Sequence, residues 1–166
     1  MPDPALVFLF ATLPFSFWAA WSDLREMRIP NKLNLALFAM FLILGLILLP
    51  FGDYATRIGI AAAAFFVGFV LNAVGVIGGG DVKYIAAMLP YIPPGDLGLF
   101  CFILAACLLA AVAVHRIARA LPPIRRLVPG WESWTAGKYF PMGFGLSGGL
   151  TAYLAVTAFN LRVGIG

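Results

Sequence analysis

Long apolar runs dominate this chain and restrict what it can fold into. A helix needs about 20 apolar residues to cross a bilayer. Runs of about that length occur at 4–21, 33–50, 57–77, 96–115 and 140–161, with a shorter one at 82–92. Charged residues make up only 11% of the 166 residues, which is too few to cover a water-facing surface. The sequence therefore predicts an all-α, polytopic membrane protein with about six transmembrane helices, folded as a single domain over 1–166.

The Lys and Arg residues indicate the orientation of such a bundle. With six spans, Arg57 and Arg162 fall on one side and all the other basic residues on the opposite side: Arg25, Arg28, Lys32, Lys83, Arg116, Arg119, Arg125, Arg126 and Lys138. Because cytoplasmic loops carry the excess of Lys and Arg, we expect the basic side to be cytoplasmic and both termini to face outward. This asymmetry requires 82–92 to be a span. It also accounts for the net charge of +4 without a nucleic-acid partner.

The longest loop, 116–139, mixes Arg with Leu, Ile, Val, Trp131 and Trp134. Such a mixture is typical of a segment that lies on the lipid headgroups. We therefore expect the loop to anchor the cytoplasmic side to the bilayer, with docking of a substrate as the alternative.

Metal-binding residue types are scarce. Cys101 and Cys107 lie in one apolar run without CxxC spacing, and His115 is the sole histidine. A structural zinc site needs four ligands, mostly Cys and His. We therefore interpret both cysteines as apolar packing residues and predict no metal and no cofactor.

Two of the seven acidic residues stand out by position. Asp23 falls at the cytoplasmic end of the first helix, and Asp81 opens the fourth helix after three glycines. Ionisable residues this close to the hydrocarbon region are candidates for function. The other acids are expected to be solvated loop charges (Asp3, Asp53 and Asp96) or partners of neighbouring Arg side chains (Glu26 and Glu132).

Two carboxylates that share one water form the minimal apparatus of an aspartic peptidase. Each favours protonation of the other, so that one can act as a base while the other polarises the scissile carbonyl. Gly78, Gly79 and Gly80 would let a peptide approach Asp81, through close backbone contact or a positive φ. Alternatively, the glycines form a flexible turn, and each Asp caps a helix N-terminus or pairs with Arg; Asp81 is well placed to cap helix four.

The motifs resemble those of type IV prepilin peptidases. Gly78-Gly79-Gly80-Asp81-Val82-Lys83 is similar to the GxGD signature of that family, and Asp23 precedes Arg28-Ile29-Pro30-Asn31 as in its first catalytic segment. Phe140-Pro141-Met142-Gly143 resembles a third family element, with Met142 where an aromatic residue is common. The resemblance covers most of the chain and keeps the order of all three elements.

The resemblance implies an aspartic endopeptidase that removes a short basic leader from prepilin-like proteins at the cytoplasmic face of the bacterial inner membrane. Asp23 and Asp81 would be the catalytic pair. Substrate-binding or structural support would come from Gly78, Gly79, Gly80, Lys83, Pro30, Asn31, Pro141 and Gly143. Long family members carry paired CxxC motifs and also methylate their product. This chain has no such segment and is similar to the short forms that serve tight-adherence (Flp-type) pili, so we expect no methyltransferase activity.

Three other interpretations remain open at this point. A presenilin-like protease shares GxGD, although the Pro-Ala-Leu element of that group is not found here. A small transporter or channel could use Asp23 and Asp81 as ion sites, although such sites usually lie near the bilayer midplane. The chain could also be an inactive subunit of a pilus-assembly machine. None of these interpretations defines an oligomeric state.

Overall fold

The chain folds as a helical bundle in a computed structural model that describes residues 3–137 and 139–159. Its helices are α1 (Pro4–Glu26), α2 (Asn31–Leu48), α3 (Phe51–Ala73), α4 (Gly79–Met88), α5 (Leu97–Ala120), α6 (Pro122–Leu127) and α7 (Met142–Ala158). Short 3₁₀ turns occupy Leu89–Tyr91, Pro94–Asp96 and Glu132–Trp134. The described residues contain no strand, and the predicted all-α class is confirmed.

Four helical segments are long and apolar enough to cross a bilayer: α1, α2, α3 and Pro94–Ala120, which is α5 with the turn before it. The helix α7 is apolar but shorter. The ten residues of α4 rise only about 15 Å. The chain is therefore built as a membrane protein, while the count of six spans and the outward termini remain predictions.

The third helix begins and ends about one turn or more earlier than the apolar run 57–77 predicted. Pro50 precedes its first residue, where the fixed φ of proline favours helix initiation. The chain leaves the helix near Gly75, whose φ of 78° is left-handed. As a result Arg57, expected at the outer end of this span, lies inside α3 and is buried. One of its guanidinium nitrogens donates to the carbonyl of Pro90 at 3.4 Å.

The last helix packs closely against α1 and α5. A Cβ on Gly145 would lie 2.6 Å from the Leu108 side chain, and one on Gly149 would lie 2.6 Å from Leu104. Small residues four apart on one helix face allow such close approach of two helices within a membrane. The glycines therefore fix α7 against α5, although the end of the predicted run 140–161 lies outside the described residues.

The loop 116–139 is shorter and more buried than expected. The helix α5 continues to Ala120, and the tryptophans fold back onto the bundle. Trp131 meets the ring of Trp21 on α1 edge-on, with centroids 5.4 Å apart, and Trp134 stacks on His115 of α5 at 5.3 Å. Trp134 is buried, so this part of the loop packs on protein instead of headgroups. Lys138 lies outside the described residues.

Two of the acids that we expected to be solvated loop charges or partners of arginine have other surroundings. Asp96 accepts a hydrogen bond from the Tyr153 hydroxyl at 2.7 Å, so it is more than a loop charge. Glu26 pairs with Arg25 at 3.7 Å, as expected. Within residues 3–137 and 139–159, no ion pair joins Glu132 to an arginine.

Candidate active site

Asp23 lies in the last turn of α1, directly before a tight reversal of the chain. The reversal is closed by Met27, which adopts a left-handed φ of 50° and donates its N–H to the Asp23 carbonyl at 2.9 Å. The Ser22 hydroxyl donates to the Arg28 carbonyl at 2.7 Å and holds the returning chain against the helix. Pro30 then precedes the first residue of α2.

The Asp23 carboxylate also binds the N-terminus of α7. It accepts the Gly143 N–H at 2.6 Å and interacts with the Phe144 N–H. In the described chain α7 has no capping side chain of its own, because Pro141 occupies the N-cap position. Asp23 is 5% exposed and thus caps a helix that follows it by 120 residues. Both N–H donors and the helix dipole interact more strongly with an ionised carboxylate than with a neutral one.

The glycine run provides space beside Asp81, without the positive φ that we considered. Gly78 has an extended φ of −67°, and Gly79 and Gly80 already belong to α4. A Cβ on Gly78 would lie 2.8 Å from an Asp81 carboxylate oxygen, closer than real Cβ contacts. The Asn72 side chain donates to the Ile77 carbonyl at 2.8 Å and fixes the segment before the glycines. The run is thus an ordered helix start instead of a flexible turn.

Asp81 is the third residue of α4, and its surroundings differ from those of Asp23. Among the described residues no hydrogen bond to the Asp81 carboxylate is formed, and α4 has no capping side chain. The helix-cap alternative is therefore not observed for Asp81, whereas Asp23 does cap a helix N-terminus, that of α7. Burial raises the pKa of Asp81 to about 6, because loss of hydration disfavours the charged form. Burial disfavours the charge of Asp23 in the same way, so the two carboxylates differ in their hydrogen-bond donors and not in the effect of burial.

The two aspartates line the same cavity at one end of the bundle. This cavity of about 580 Å³ is also bordered by Glu26, Met27, Arg28, Ile29, Pro30, Asn31, Gly78, Gly79 and Gly80. A neighbouring cavity of about 610 Å³ on the α7 side reaches both carboxylates as well. The Asp81 charge acts on Asp23. Two carboxylates coupled in one partly enclosed space can divide the acid and base roles between them.

The remaining predicted residues support this cavity from outside. Lys83 does not line it; its ammonium group donates to the Asn31 side-chain oxygen at 2.9 Å and joins α4 to α2. Gly143 packs against Asp23 itself: a Cβ there would lie 3.0 Å from the carboxylate oxygen. Pro141 precedes the helix that carries Gly143. Nine of the ten predicted site residues thus line the cavity or contact a residue that lines it, and Pro141 lies at the N-cap of the helix that carries Gly143.

Sequence reasoning did not identify three contributors: Ser22, Asn72 and the Phe144 N–H. Asn72 is an isolated polar residue in the last turn of the apolar helix α3, where a polar side chain needs a nearby backbone partner, and that pattern could have revealed it. Ser22 lies directly before Asp23 at the polar end of α1, where it does not stand out. The Phe144 N–H carries no sequence signal, because every non-proline residue has one.

The fold and the site define an α-helical membrane protein with a paired-carboxylate cavity at one end. Comparison with protein-family models shows that the chain belongs to the type IV leader peptidase family, whose model matches residues 10–114. The match includes both aspartates and ends before α7. No curated protein and no solved structure gives a significant match to this chain.

Asp23 both lines the cavity and caps α7, and the second contact leads to a prediction about the stability of the fold. Asp23→Ala should lower the melting temperature in detergent, since loss of a helix cap costs about 0.5–2 kcal/mol. Asp23→Asn should melt closer to the wild type, because its amide oxygen can still accept the Gly143 N–H. Equal melting temperatures of the alanine and asparagine variants would show that the contact with α7 contributes little to the stability of the fold.

Proposed function

We propose that this protein is a membrane-embedded aspartic endopeptidase that removes the short basic leader of prepilin-like proteins. In this proposal it acts at the cytoplasmic face of the bacterial inner membrane, without a cofactor, as the short form that serves Flp-type pili. The observation that most supports this proposal is that Asp23 and Asp81 line one cavity in a chain of the leader peptidase family.

The unequal surroundings of the two aspartates support unequal roles. Asp23, with two N–H donors, is the ionised base that takes a proton from the attacking water. Asp81, without a hydrogen-bond donor in the described structure, is the acid that polarises the scissile carbonyl in those protein molecules in which it holds a proton. The water oxygen bonds to the carbonyl carbon, and the C–N bond breaks as the leaving nitrogen takes up the proton that Asp23 received from the water. The pair thereby returns to a state with one proton.

The charges around the cavity favour a basic leader. Three carboxylates border the cavity, from Asp23, Glu26 and Asp81, against one cation, Arg28. The site also lies at helix ends, in the last turn of α1 and the first turn of α4. This location agrees with cleavage at the membrane boundary and differs from the midplane site of a transporter.

The test is cleavage of a prepilin-like protein with a short basic leader, in membranes containing the wild type or Glu26→Gln. The wild type should release the leader, and Glu26→Gln should reduce the rate only a few-fold, because Glu26 is half-exposed and contributes charge alone. Absence of cleavage by a folded wild type would overturn the proposed function. A loss in Glu26→Gln as large as that in an Asp23 variant would overturn the assignment of the pair.

A further inference from the structure

Five aromatic rings from α1, α5 and the loop before α7 form one connected stack at the end of the bundle that carries the carboxylate cavity. Successive ring centroids lie 5.4, 5.4, 5.3 and 5.8 Å apart in the order Trp21, Trp131, Trp134, His115 and Phe140. Aromatic pairs that are stacked or edge-on at about these distances attract each other. We refer to these five residues as the aromatic stack.

The two ends of the aromatic stack lie beside the two partners of the Asp23 hydrogen bond. Trp21 precedes Asp23 by two residues on α1, and Phe140 precedes Gly143 by three residues. The Gly143 N–H donates to the Asp23 carboxylate at 2.6 Å. The path from Asp23 through the rings to Gly143 is therefore closed by this hydrogen bond. The ring contacts thus help to set the position of the α7 N-terminus relative to Asp23.

Phe140 connects the aromatic stack to the carboxylates. It borders the cavity of about 610 Å³ that also reaches Asp23 and Asp81. Pro141 alone separates Phe140 from the first residue of α7, and the fixed φ of proline makes this connection stiff. A shift of Phe140 would therefore move the start of α7 together with the wall of the cavity.

His115 is the junction of the aromatic stack, because it contacts both Trp134 and Phe140. Its ring lies at 15° to the plane of Trp134 and at 80° to that of Phe140. The side chain is 5% exposed, and its Nε2 atom has no hydrogen-bond partner within the described residues. A buried nitrogen without a partner is unfavourable. What His115 contributes here is the packing of its ring against both neighbours.

We propose that His115 is a positioning residue, which acts through Phe140 to hold the N-terminus of α7 against the Asp23 carboxylate. This inference rests on the proposed function, in which Asp23 takes a proton from the attacking water. In the described chain His115 forms no hydrogen bond or ion pair with Asp23, and it takes no part in proton transfer. When its ring is removed, Phe140 moves into the vacated space, and the Gly143 N–H moves away from Asp23.

The kinetic test removes the ring of His115. His115→Ala should lower kcat for leader cleavage about fivefold, with a smaller change in KM, because a displaced carboxylate slows the chemical step. His115→Phe should cleave nearly as the wild type does, since a phenyl ring keeps the packing. Phe100→Ala is the matched control, because Phe100 of α5 is 2% exposed and meets Tyr153 of α7 edge-on at 5.7 Å. Its loss removes another aromatic contact between the same two helices and should leave kcat unchanged.

Three kinetic results would overturn the proposal. The first is an unchanged kcat in His115→Ala, and the second is an equal loss in His115→Phe, because the ring would then not be the cause. The third is an equal loss in Phe100→Ala, because any weakening of the packing between α5 and α7 would then suffice. Rates are compared per folded protein. If His115→Ala does not fold, His115→Leu replaces it, with the same expected loss.

A double-mutant cycle in detergent tests the same coupling without cleavage. Asp23→Ala should lower the melting temperature only about half as much in the His115→Ala background as in the wild type, because the contact of α7 with Asp23 is already loosened. In the Phe100→Ala background the two decreases should add, as is usual for separate sites. Additive decreases for His115 and Asp23 would overturn the proposal. If the wild type does not cleave, the proposed function fails, and the melting temperatures still decide the role of His115.

Discussion

Replacing Asp81 with asparagine is expected to reduce leader cleavage by about 10²–10⁴-fold, the range lost when a general acid is removed. The same change should raise the melting temperature at pH 7. Asparagine has almost the same shape as aspartate and carries no charge, so the substitution removes the acid proton and also the cost of burying a carboxylate. A merely structural Asp81 would instead lose stability together with activity.

The pH dependence of this stability follows from the raised pKa. The pKa of the Asp81 carboxyl is about 6 in the folded state and near 3.8 as a free group. Below pH 4 the carboxyl is protonated in both states and has no differential effect. Between pH 4 and 6 the unfolded chain loses its proton first, which favours unfolding, and above pH 6 the full penalty is present. The gain in melting temperature of Asp81→Asn over the wild type should therefore be larger at pH 7 than at pH 4; an equal or smaller gain at pH 7 would contradict the assigned environment.

Gly143→Ala is the second change with a large expected effect. The new Cβ would lie 2.8 Å from a methyl carbon of Ile29 and 3.0 Å from the Asp23 carboxylate, so the carboxylate must shift relative to the substrate. Misplacement of a catalytic group by about 1 Å can cost roughly 10²-fold in rate. The contact with the carboxylate requires a shift of a few tenths of an ångström, so we expect a smaller loss, about tenfold, in leader cleavage measured in membranes at equal protein levels.

Gly148→Ala is the matched control for this glycine. Gly148 lies on the same helix and is exposed, and a Cβ added there would meet no neighbouring atom within 4 Å. Alanine there should preserve cleavage and stabilise the helix by about 0.5–1 kcal/mol. If both variants cleave as the wild type does, the contact between Gly143 and Asp23 has no role in positioning the carboxylate.

The helical class was predictable because apolar runs and scarce charges leave few other folds for this chain. Helix ends were harder to predict, as α3 shows: hydropathy placed its start at Arg57, whereas Pro50 and Gly75 determine its ends. Hydropathy ends the apolar run at Arg57 because the residue is charged. In the structure, its contact with the Pro90 carbonyl allows it to lie within a helix.

The common cavity of the two aspartates was predictable from the resemblance of their motifs to one family, whereas spacing alone left helix capping and pairing with Arg as alternatives. The α7 contact was not predictable, because no local pattern links Asp23 to an N–H group 120 residues later.

The capping of α7 by Asp23 has a consequence for how this chain can change during evolution. In a lineage that no longer needs peptidase activity, Asp81 can be replaced, because its buried carboxylate destabilises the fold. Position 23 remains under selection even then, because the last helix depends on an acceptor there. Among degenerate descendants we expect residue 81 to drift freely, whereas residue 23 is restricted to Asp, Asn or Ser.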